Sequence, residues 1–484
     1  MKDEEERNNV AVETPTKTYG LGHRHIQSTL VFMIVSMSYI MRANISVAII
    51  AMTDTSSNTT DVEIYDWDKK TQGFVLGSFF WGYMLMQIPA SQLAQRFGAK
   101  KLLTISMIVN GVATLLFAQI VHLGGWKAAC AVRATQGQLQ SCMMPCVQIF
   151  LSKWAPISER SRLGSFVMSG APFGIIVSMF SVGVLSGRFG WPVSFQVIGA
   201  LALVTGLLWC WMGSDRPALH ASITQGERDF IESSLESSSQ KSGHKVIKTP
   251  WKKLFTSVPF LALLIAHTGC NWGYLTMLLE TPSYLKLVLG VSSENSGLYA
   301  GLPYIAMFIF SFVISFLSDF LINKKIISIT NSRKVANGIA CVGLGFGIIL
   351  MSYVPTDQVF WSVAMLIVSS GSCAALNVGS LLNHVDLAPN LAGALMGITN
   401  AAANAIGTLA PISVGYILKD PHDITQWRTV FVMICVIMNG CNLVFIIFGT
   451  SDVQPWNEPD TPEDIEMKNP DKDLETKTQL LSKN

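Results

Sequence analysis

The chain has 484 residues, of which 50% are hydrophobic and only 14% are charged, and its mean hydropathy is +0.40. Because soluble domains carry about a quarter charged residues, this composition excludes an ordinary soluble domain and indicates a chain that lies largely in lipid. A net charge of +2 is too small to indicate nucleic-acid binding. The nine cysteines all lie in apolar segments, so we expect neither a disulfide framework nor a metal site built on them.

Apolar segments long enough to cross a hydrocarbon core of ~30 Å, which takes about 20 helical residues, recur along the chain. In chain order they fall at about 26–52, 71–95, 101–122, 126–153, 163–189, 193–213, 258–285, 294–321, 333–354, 358–386, 391–418 and 427–450. The sequence therefore predicts an all-α polytopic membrane protein with twelve transmembrane helices in two six-helix halves. The predicted domains are a tail at 1–25, the first half at 26–213, a charged central loop at 214–257, the second half at 258–450 and a polar tail at 451–484.

The loops on one side of the predicted bundle concentrate lysine and arginine, as cytoplasmic loops do. These basic residues are Arg96, Lys100, Lys101, Arg160, Arg162, Lys324, Lys325, Arg333 and Lys334. We therefore predict that both termini are cytoplasmic. The first loop on the opposite side contains Asn58-Thr59-Thr60, a glycosylation sequon, so Asn58 is predicted to carry a glycan.

The first and fourth predicted helices each contain an arginine, Arg42 and Arg133. A charge within hydrocarbon is energetically costly and normally faces a protein interior or a water-filled path. At ~1.5 Å per residue, Arg42 lies roughly 24 Å from the cytoplasmic end of its helix, and Arg133 lies roughly 10 Å from the external end of its own. The two side chains are therefore predicted at a similar depth. Gln136 and Gln140 follow Arg133 at i+3 and i+7, so the three share one helix face.

Two asparagines in the second half are predicted at a matching depth. Asn271 in helix seven and Asn404 in helix eleven both fall roughly 20 Å from the cytoplasmic side. A guanidinium fork binds carboxylate or phosphate oxygens in bidentate fashion, and neutral amides can complete the shell, although an intramembrane amide often only bonds a neighbouring helix. The sequence thus predicts a substrate site for a small anion, formed by Arg42, Arg133, Gln136, Gln140, Asn271 and Asn404.

Two ionisable residues of helix seven have more than one interpretation. His267 titrates in the range that a proton relay needs, although a buried histidine is more often a hydrogen-bonded packing residue. Glu280, near the outer end of the same helix, is either a proton-coupling or ion-coupling group or an interfacial carboxylate. The sequence leaves both alternatives open for each residue.

The two halves resemble each other at corresponding loops. Residues 93–101, between helices two and three, and residues 317–325, between helices eight and nine, both end in paired lysines. Two six-helix halves related in this way indicate alternating access around a site near the membrane midplane. We expect Glu159, Arg160 and Asp319, at the cytoplasmic ends of their helices, to form a gate on that side.

The segment after helix four, S-K-W-A-P-I-S-E-R-S-R at 152–162, resembles the W-A-P-P-x-E-R-S signature of the anion–cation symporters. That branch of the major facilitator superfamily includes sialin, the vesicular glutamate transporters and the type I sodium–phosphate cotransporters. Residues 42–49 and 383–389 are similar to the same branch, and the match extends from about residue 25 to residue 459. The chain is most similar in pattern to insect proteins called "putative inorganic phosphate cotransporters". The resemblance implies the major facilitator fold and an anion-binding role for Arg42 and Arg133.

The chain also departs from the patterns of this family. Sialin-like members carry glutamates for proton coupling in helix four, as R-x-x-E-G-x-x-E, where this chain has Gln136 and Gln140. Since an amide has no titratable proton at physiological pH, the glutamine pattern resembles the sodium–phosphate and organic-anion branch. The helix-seven arginine of the vesicular glutamate transporters falls on Cys270, which argues against glutamate loading. In the loop after helix two, Gln95 replaces the superfamily's usual aspartate, which Asp319 keeps in the second half.

We therefore predict a secondary active transporter of small anions, inorganic phosphate or an organic anion, that is coupled to sodium or driven by the membrane potential. Two alternatives stay open: a proton-coupled, sialin-like lysosomal exporter of organic anions, and an anion channel. An ATP-driven pump is disfavoured because the sequence has no G-x-x-x-x-G-K-[ST] motif, and no residue set indicates an enzyme. We expect a monomer with no metal site, no cofactor apart from a transported sodium ion, and no nucleic-acid partner. The plasma membrane is favoured over a lysosomal or endosomal membrane.

Overall fold

The computed structural model of the protein describes residues 20–53, 64–67, 69–236, 249–291, 293–407, 409–420 and 422–458. Within these ranges the chain is helical and contains no β-strand. Asn58, the predicted glycosylation site, lies outside the described residues, as does most of each predicted tail.

The first half forms six rods from eight described helices. These are α1 His23–Thr53, α2 Lys69–Phe97, α3 Ala99–Leu115, α4 Phe117–Gln140, α5 Met143–Trp154, α6 Arg160–Met168, α7 Gly170–Phe189 and α8 Trp191–Met212. The fourth rod consists of the part of α4 after Gly125 together with α5, whereas the part of α4 before Gly125 follows α3 in the third rod. The fifth rod consists of α6 and α7. A sharp turn within α4 falls at Gly125, between the predicted third and fourth helices, where the φ of 58° is one that glycine adopts without strain.

The linker and the second half follow. Their helices are α9 Gln225–Glu236, α10 Trp251–Phe255, α11 Val258–Leu287, α12 Ser293–Asn323, α13 Ile329–Met351, α14 Val359–Ser372, α15 Ser380–Leu387, α16 Ala392–Gly407, α17 Leu409–Ile417 and α18 Ile424–Phe448. A 3₁₀ segment, Cys373–Asn377, joins α14 to α15 within the tenth rod, and α16 and α17 form the eleventh. The described rods thus number six in each half, as predicted.

Not every rod is equally apolar. By length and composition alone, seven of the described spans could cross a membrane, or eight if the bent third and fourth rods are counted as one broken span. The rods that fall short of this test include α2 and α16, which carry buried polar side chains such as Gln87 and Asn400. Polar residues at such positions face the interior of a helical bundle, so these rods are the ones expected to form a site.

Glycines bring α2 and α4 into close contact. A Cβ on Gly137 would overlap the carbonyl oxygen of Phe79, and a Cβ on Gly82 would overlap that of Ala134. Small residues let helix backbones approach closely within a membrane. The approach fixes the position of Arg133, one turn before Gly137, relative to Phe79.

Both described ends of the chain lie on one face of the bundle, which we call the termini face. At the start of α1, the Nε of Arg24 donates to Glu159, which follows α5, at 2.7 Å. Near the other end, the backbone N–H of Asn390, just before α16, donates to Oδ1 of Asn457 at 3.0 Å. The predicted cytoplasmic residues Glu159 and Arg160 therefore lie on the face that carries both ends.

The two halves are packed together at the termini face. A Cβ on Gly393 of α16 would lie 2.6 Å from the side chain of Ile149 on α5. In a second contact between the halves at this face, a Cβ on Gly164 of α6 would lie 2.6 Å from the side chain of Leu382 on α15. Helices of the two halves are thus in direct contact here, and the structure represents a state that is closed at the termini face.

Candidate functional site

The two intramembrane arginines flank one aromatic ring. The guanidinium carbon of Arg42 lies 5.0 Å from the ring centroid of Phe79, and that of Arg133 lies 4.9 Å from the same centroid. Three more aromatic rings surround Arg42 at 4.7 to 5.6 Å, those of Tyr39, Phe80 and Tyr83. Cation–π contacts stabilise a guanidinium without neutralising it. The structure therefore brings the two predicted arginines together at one aromatic ring.

Arg133 is held by carbonyl oxygens and by one amide. It is 3% exposed, and its guanidinium donates to the carbonyl oxygens of Met41 and Arg42 at 3.3 and 3.2 Å. It also donates to Oε1 of Gln136 at 3.3 Å, while Nε2 of Gln136 donates to Thr114 at 2.9 Å. Thr114 thus fixes the amide of Gln136, whose oxygen accepts one hydrogen bond from the Arg133 guanidinium.

On one face of α4, two buried donors have no partner among the described residues. They are the Nε of Arg133 and the Nε2 of Gln140. Within the described ranges, neither Arg42 nor Arg133 forms an ion pair with a carboxylate. Buried donors are normally hydrogen-bonded, and buried charges are normally paired. An anion with several oxygen atoms would satisfy both requirements.

The predicted asparagines of the second half belong to a hydrogen-bonded chain that reaches this cluster. Asn404 donates to the side chain of Asn400 at 3.0 Å, and Asn400 donates to the hydroxyl of Tyr83 at 3.0 Å. Asn271 donates to the carbonyl oxygen of Ala403 at 3.0 Å and thereby joins α11 to α16. Tyr83 thus connects Arg42 to the second half. The site residues predicted from the sequence do not include Tyr83 or Asn400, although Tyr83 follows Phe79 at i+4, on the same face of α2.

His267 is a hydrogen-bonded residue in a buried cluster. Its Nδ1 lies 3.0 Å from Oγ1 of Thr399, and Nε2 of His384 lies 2.7 Å from the same oxygen. The Nδ1 of His384 lies 3.0 Å from the carbonyl oxygen of Leu381, which can only accept, so that nitrogen carries a hydrogen. In the neutral ring, Nε2 of His384 then accepts from Thr399, and Thr399 accepts from His267. This chain links α11, α16 and α15.

Glu280 lies in a different part of the second half. It is partly buried and lines a small internal cavity together with Thr276, Tyr284, Ile348 and Phe431. All of these residues belong to α11, α13 and α18, and neither intramembrane arginine lines this cavity. The structure does not bring Glu280 together with the two arginines.

The predicted gate residues belong to a charged network at the termini face. Nη1 of Arg160 and Nε of Arg333 each lie 2.7 Å from Asp386, so one buried carboxylate joins an arginine from each half. Asp319 of α12 accepts from the backbone N–H groups of Ser161 and Arg162 at 3.1 and 2.8 Å. The second half therefore caps the first turn of α6 in the first half.

Glu159 acts within the first half. Its two carboxylate oxygens accept from Arg24 at 2.7 and 3.2 Å, and Arg24 also bonds Glu227 of α9 at 3.0 Å. The gate residues predicted from the sequence do not include four other members of the network: Arg24, Glu227, Arg333 and Asp386. Loop position alone signals a basic residue near the membrane, but it does not indicate which acidic residue will meet it.

Among the described residues, no group of three or more histidine, cysteine, aspartate or glutamate side chains could hold a metal ion. Two guanidiniums, one buried and one half-buried, lie in the first helical half and connect to the second through Tyr83, while a charged network joins the halves at the termini face. This arrangement is that of a polytopic membrane transporter. The site chemistry is that of binding and release.

Comparison with known proteins defines the family. The sequence profile described as the Major Facilitator Superfamily matches residues 31–411. A Drosophila melanogaster protein named "Putative inorganic phosphate cotransporter" is 36% identical over 473 residues, covering 92% of this chain and 88% of that protein. Human "Vesicular glutamate transporter 2" is 31% identical over 454 residues, covering 91% of this chain and 76% of that protein. The chain belongs to the Major Facilitator Superfamily, in its anion–cation symporter branch.

Solved structures agree on the fold. The transporter FucP in the outward conformation matches with a TM-score of 0.62 at 13% identity, covering 87% of this chain and 99% of FucP. A bacterial homologue of the iron transporter ferroportin, in its outward-facing state, matches with a TM-score of 0.61 at 15% identity, covering 88% and 99%. At these identities the likeness concerns the fold alone. The predicted fold class and the predicted family are confirmed.

Proposed function

We propose that this transporter binds inorganic phosphate or a small organic anion between Arg42 and Arg133 and carries it by alternating access. The proposal rests on two unpartnered buried donors on one face of α4, Nε of Arg133 and Nε2 of Gln140, together with two guanidiniums that no described carboxylate neutralises. A tetrahedral or planar oxyanion supplies both the missing acceptors and the missing charge. The names of the relatives, a phosphate cotransporter and a glutamate transporter, support an anionic substrate.

Phosphate is favoured over glutamate. In the resemblance to vesicular glutamate transporters, an arginine of the seventh predicted transmembrane helix, α11, falls on Cys270. The side chain of Cys270 is 2% exposed, and its sulfur lies 3.3 Å from the sulfur of Cys341. A thiol cannot bind a second carboxylate as a guanidinium does. A substrate with one compact anionic group suits the two arginines that remain.

Sodium or the membrane potential is the proposed driving force. Gln136 and Gln140 occupy the positions beside Arg133 where a proton-coupled relative has glutamates, and an amide takes up no proton at physiological pH. The potential acts on the net charge moved and supplies ~2.3 kcal/mol per charge for each 100 mV. An anion, or an anion with several sodium ions, can therefore be moved without a titratable carboxylate in helix four.

The proposed membrane is the plasma membrane, with the termini face in the cytoplasm. The basic loops support this orientation, and the sequon at Asn58 would then be external. Closure at the termini face would make the state described above an outward-facing one, ready to accept an anion from outside the cell.

The test is uptake of radiolabelled phosphate into proteoliposomes that contain the full-length protein, with sodium, proton and voltage gradients imposed one at a time. Saturable uptake that depends on sodium or voltage, and that is stimulated by unlabelled phosphate on the opposite side, is expected. Uptake that neither saturates nor shows this trans-stimulation would indicate a channel. Absence of phosphate uptake, together with saturable uptake of a dicarboxylate, would reject phosphate and leave the anion site in place.

One observation favours a second candidate, a proton-coupled exporter of organic anions from an acidic compartment. The hydrogen-bonded chain from His267 through Thr399 to His384 contains two groups that titrate near neutral pH in water. If this chain carries the coupled proton, an acidic lumen will drive transport at fixed voltage. The same proteoliposomes, with only the proton gradient varied, decide between the two candidates.

A further inference from the structure

A cavity outside the substrate site opens between the two halves near the termini face. Its volume is about 470 Å³, within the range of ligand pockets. We call it the lateral groove, and its lining residues are Leu21, His25, Ser28, Thr29, Glu159, Arg162, Leu163, Phe166, Phe312, Ser315 and Phe316. They come from α1, α6 and α12 and the segments just before α1 and α6, so both halves form its walls.

The inner walls of the lateral groove are apolar. Phe166 lies 6.3 Å from Phe312, between ring centroids, across the boundary between the halves. The hydroxyls of Ser28, Thr29 and Ser315 donate to carbonyl oxygens of their own helices, at 2.8, 2.9 and 3.1 Å. Because these donors are already used, the walls suit a hydrocarbon chain better than a polar metabolite.

The lateral groove opens toward lipid. On α12, apolar side chains beside the groove are exposed in succession: Ile309 by 52%, Val313 by 60%, Phe316 by 60% and Leu317 by 54%. In a membrane protein such a stripe contacts the acyl chains of the bilayer. A lipid chain can therefore enter the groove sideways from the bilayer.

A cationic group lies at the mouth. The side chain of Arg162 is 43% exposed and uses only its Nε for a described contact, with Asp319 at 3.3 Å. The carboxylate of Glu159, also at the mouth, has both oxygens bonded to Arg24. The Nη groups of Arg162 therefore remain for an external oxyanion, which a guanidinium fork binds well when the anion is a phosphate.

We infer that the lateral groove binds a membrane phospholipid, with one acyl chain between α6 and α12 and its phosphate on Arg162. The walls belong to opposite halves and meet in the state closed at the termini face. A lipid that fits only this arrangement binds this state more tightly and stabilises it. The phospholipid is then a regulator of the transport cycle, bound at a site separate from the substrate.

The test uses full-length protein in bilayers that contain a trace of phosphatidylcholine with a photoreactive diazirine in its acyl chain. After illumination, labelled peptides are identified by mass spectrometry. We expect labels concentrated on the groove segments 163–166 and 312–316. Uniform labelling of lipid-facing helices, with no enrichment at these segments, would overturn the proposal. The readout does not depend on transport, so it stands apart from the outcome of the uptake experiments.

Filling the groove provides a matched pair of variants. Thr29→Trp places a large ring in the groove from an exposed position on α1, whereas Ile26→Trp makes the same change at an exposed position of α1 outside it. We expect Thr29→Trp to reduce labelling of the groove segments roughly fivefold, because the added volume competes with the acyl chain, and Ile26→Trp to leave it unchanged. Equal labelling in the two variants would reject the site.

Arg162→Gln tests the headgroup without altering the groove walls. We expect it to reduce labelling by the phospholipid about threefold, the scale of one exposed charge pair, and to leave unchanged the labelling by a diacylglycerol with the same chains. An equal effect on both probes would show that Arg162 acts only on the shape of the groove and would reject the phosphate assignment. Deleting residues 2–19 should not change labelling. Labelling that appears only after this deletion would identify the chain's own N-terminal segment as the occupant and overturn the proposal.

Discussion

At the scale of single residues, the site depends on where charge is left unpaired. The buried arginines of the gate meet carboxylates, as Arg160 and Arg333 do at Asp386. Arg42 and Arg133 meet aromatic rings, carbonyl oxygens and one amide instead. Burying a charge without a counterion costs free energy, and a bound ligand of opposite charge offsets that cost. The contrast within one chain separates the arginines that hold structure from the two to which we assign the anion.

Replacement of Arg133 tests this distinction. Arg133→Ala should lower the ratio of maximal uptake rate to half-saturating anion concentration about 100-fold. The reason is that removing the arginine from its buried pair with the anion costs several kcal/mol. Arg133→Lys should recover little of this loss, since a point charge does not form the bidentate contact. Initial uptake rates in proteoliposomes, normalised to reconstituted protein, provide the measurement.

The matched control is Arg188→Ala, which removes an exposed arginine from the end of α7. It should leave uptake within about twofold of the unmodified protein, as surface charges contribute little. Near-normal uptake by well-folded Arg133→Ala would reject the assignment of this residue to the substrate site.

At the scale of helices, the linker helix α9 is fastened to the start of α1. Glu227 of α9 accepts from the backbone N–H groups of His23 and Arg24 at 2.9 and 3.1 Å, and from the Arg24 guanidinium at 3.0 Å. Burial by itself raises the pKa of Glu227, but these donors and the charge of Arg24 outweigh it and hold that pKa below the ordinary glutamate value of 4.5. The ionised carboxylate is thus the form that the folded state stabilises.

Because its pKa is lowered in the folded state, Glu227 contributes to the free energy of unfolding in a way that depends on pH. An acid with a lowered pKa contributes stability above its unfolded pKa and loses it as the pH falls through the folded value. Glu227→Gln should therefore reduce the free energy of unfolding by about 2 kcal/mol at pH 7, with the deficit shrinking as the pH falls below 4.5. Thermal unfolding midpoints in detergent, measured from pH 7 downward, give the comparison.

Glu232→Gln is the control, since Glu232 lies on the same helix in an exposed i,i+4 pair with Arg228. Glu232→Gln should not change the thermal unfolding midpoint measurably, because exposed ion pairs contribute little to the free energy of unfolding. A Glu227→Gln deficit that stays constant down to pH 3 would contradict the role of the ionised carboxylate.

Asp319 of α12 caps the N-terminus of α6, and this is a second contact between helices with a testable role. It joins α12 to a helix of the other half, so the cap must break when the halves separate at the termini face. Asp319→Asn should slow maximal turnover about fivefold and change the apparent affinity for the anion much less. The maximal rate and the half-saturating concentration are obtained from uptake across a range of substrate concentrations.

The chain offers a matched N-cap for comparison. Asp423 accepts from the backbone N–H of Thr425 at the start of α18, and both residues belong to the same half. Asp423→Asn removes a cap of the same chemistry that does not cross the boundary, so turnover should be retained. If Asp319→Asn altered only the apparent affinity, the gate role of this residue would be wrong.

Sequence reasoning located the rods well and their breaks poorly. The long apolar runs specify twelve segments because a bilayer demands a fixed helix length. The break between α14 and α15 at Cys373–Asn377 lies inside one continuous apolar segment, so hydropathy does not reveal it. The arginines were found because a charge in lipid is conspicuous. Asp386 was not assigned to the gate because its partner Arg160 is 226 residues away in the chain. The position of a residue along its own helix predicts its depth in the membrane, but it does not predict which residues of other helices it contacts.

At the scale of the whole molecule, the free energy of the contacts that close the termini face must be smaller than the free energy that drives the transport cycle. Closure involves Asp386, the Asp319 cap and apolar packing such as Gly164 against Leu382, all at the termini face. The arginine cluster connects to the second half through the bond between Tyr83 and Asn400. An anion bound to the arginines therefore lies beside a contact between the halves, where it can bias their arrangement.

The driving force is the property of the whole molecule that the uptake assay can resolve. With amides at positions 136 and 140, helix four offers no titratable carboxylate beside Arg133, so the guanidinium charge is left for the substrate. A potential of 100 mV then sustains roughly a fiftyfold gradient of a monovalent anion, from ~2.3 kcal/mol per charge. At fixed voltage, initial uptake should change little when only the proton gradient is varied, and it should respond strongly to sodium or voltage.

Gln140→Glu should change that behaviour. It places a carboxylate at i+7 from Arg133, where the ionised form competes with the substrate for the guanidinium and the protonated form does not. Uptake should then become dependent on pH, with a weaker apparent affinity at alkaline pH, while Gln138→Glu, at an exposed position of α4, should leave the pH profile unchanged. Strong stimulation of the unmodified protein by an acidic compartment would contradict the sodium or voltage mechanism. In that case a proton carrier must lie elsewhere, and the hydrogen-bonded chain of His267, Thr399 and His384 is the place to look, since it is buried and links three helices of the second half.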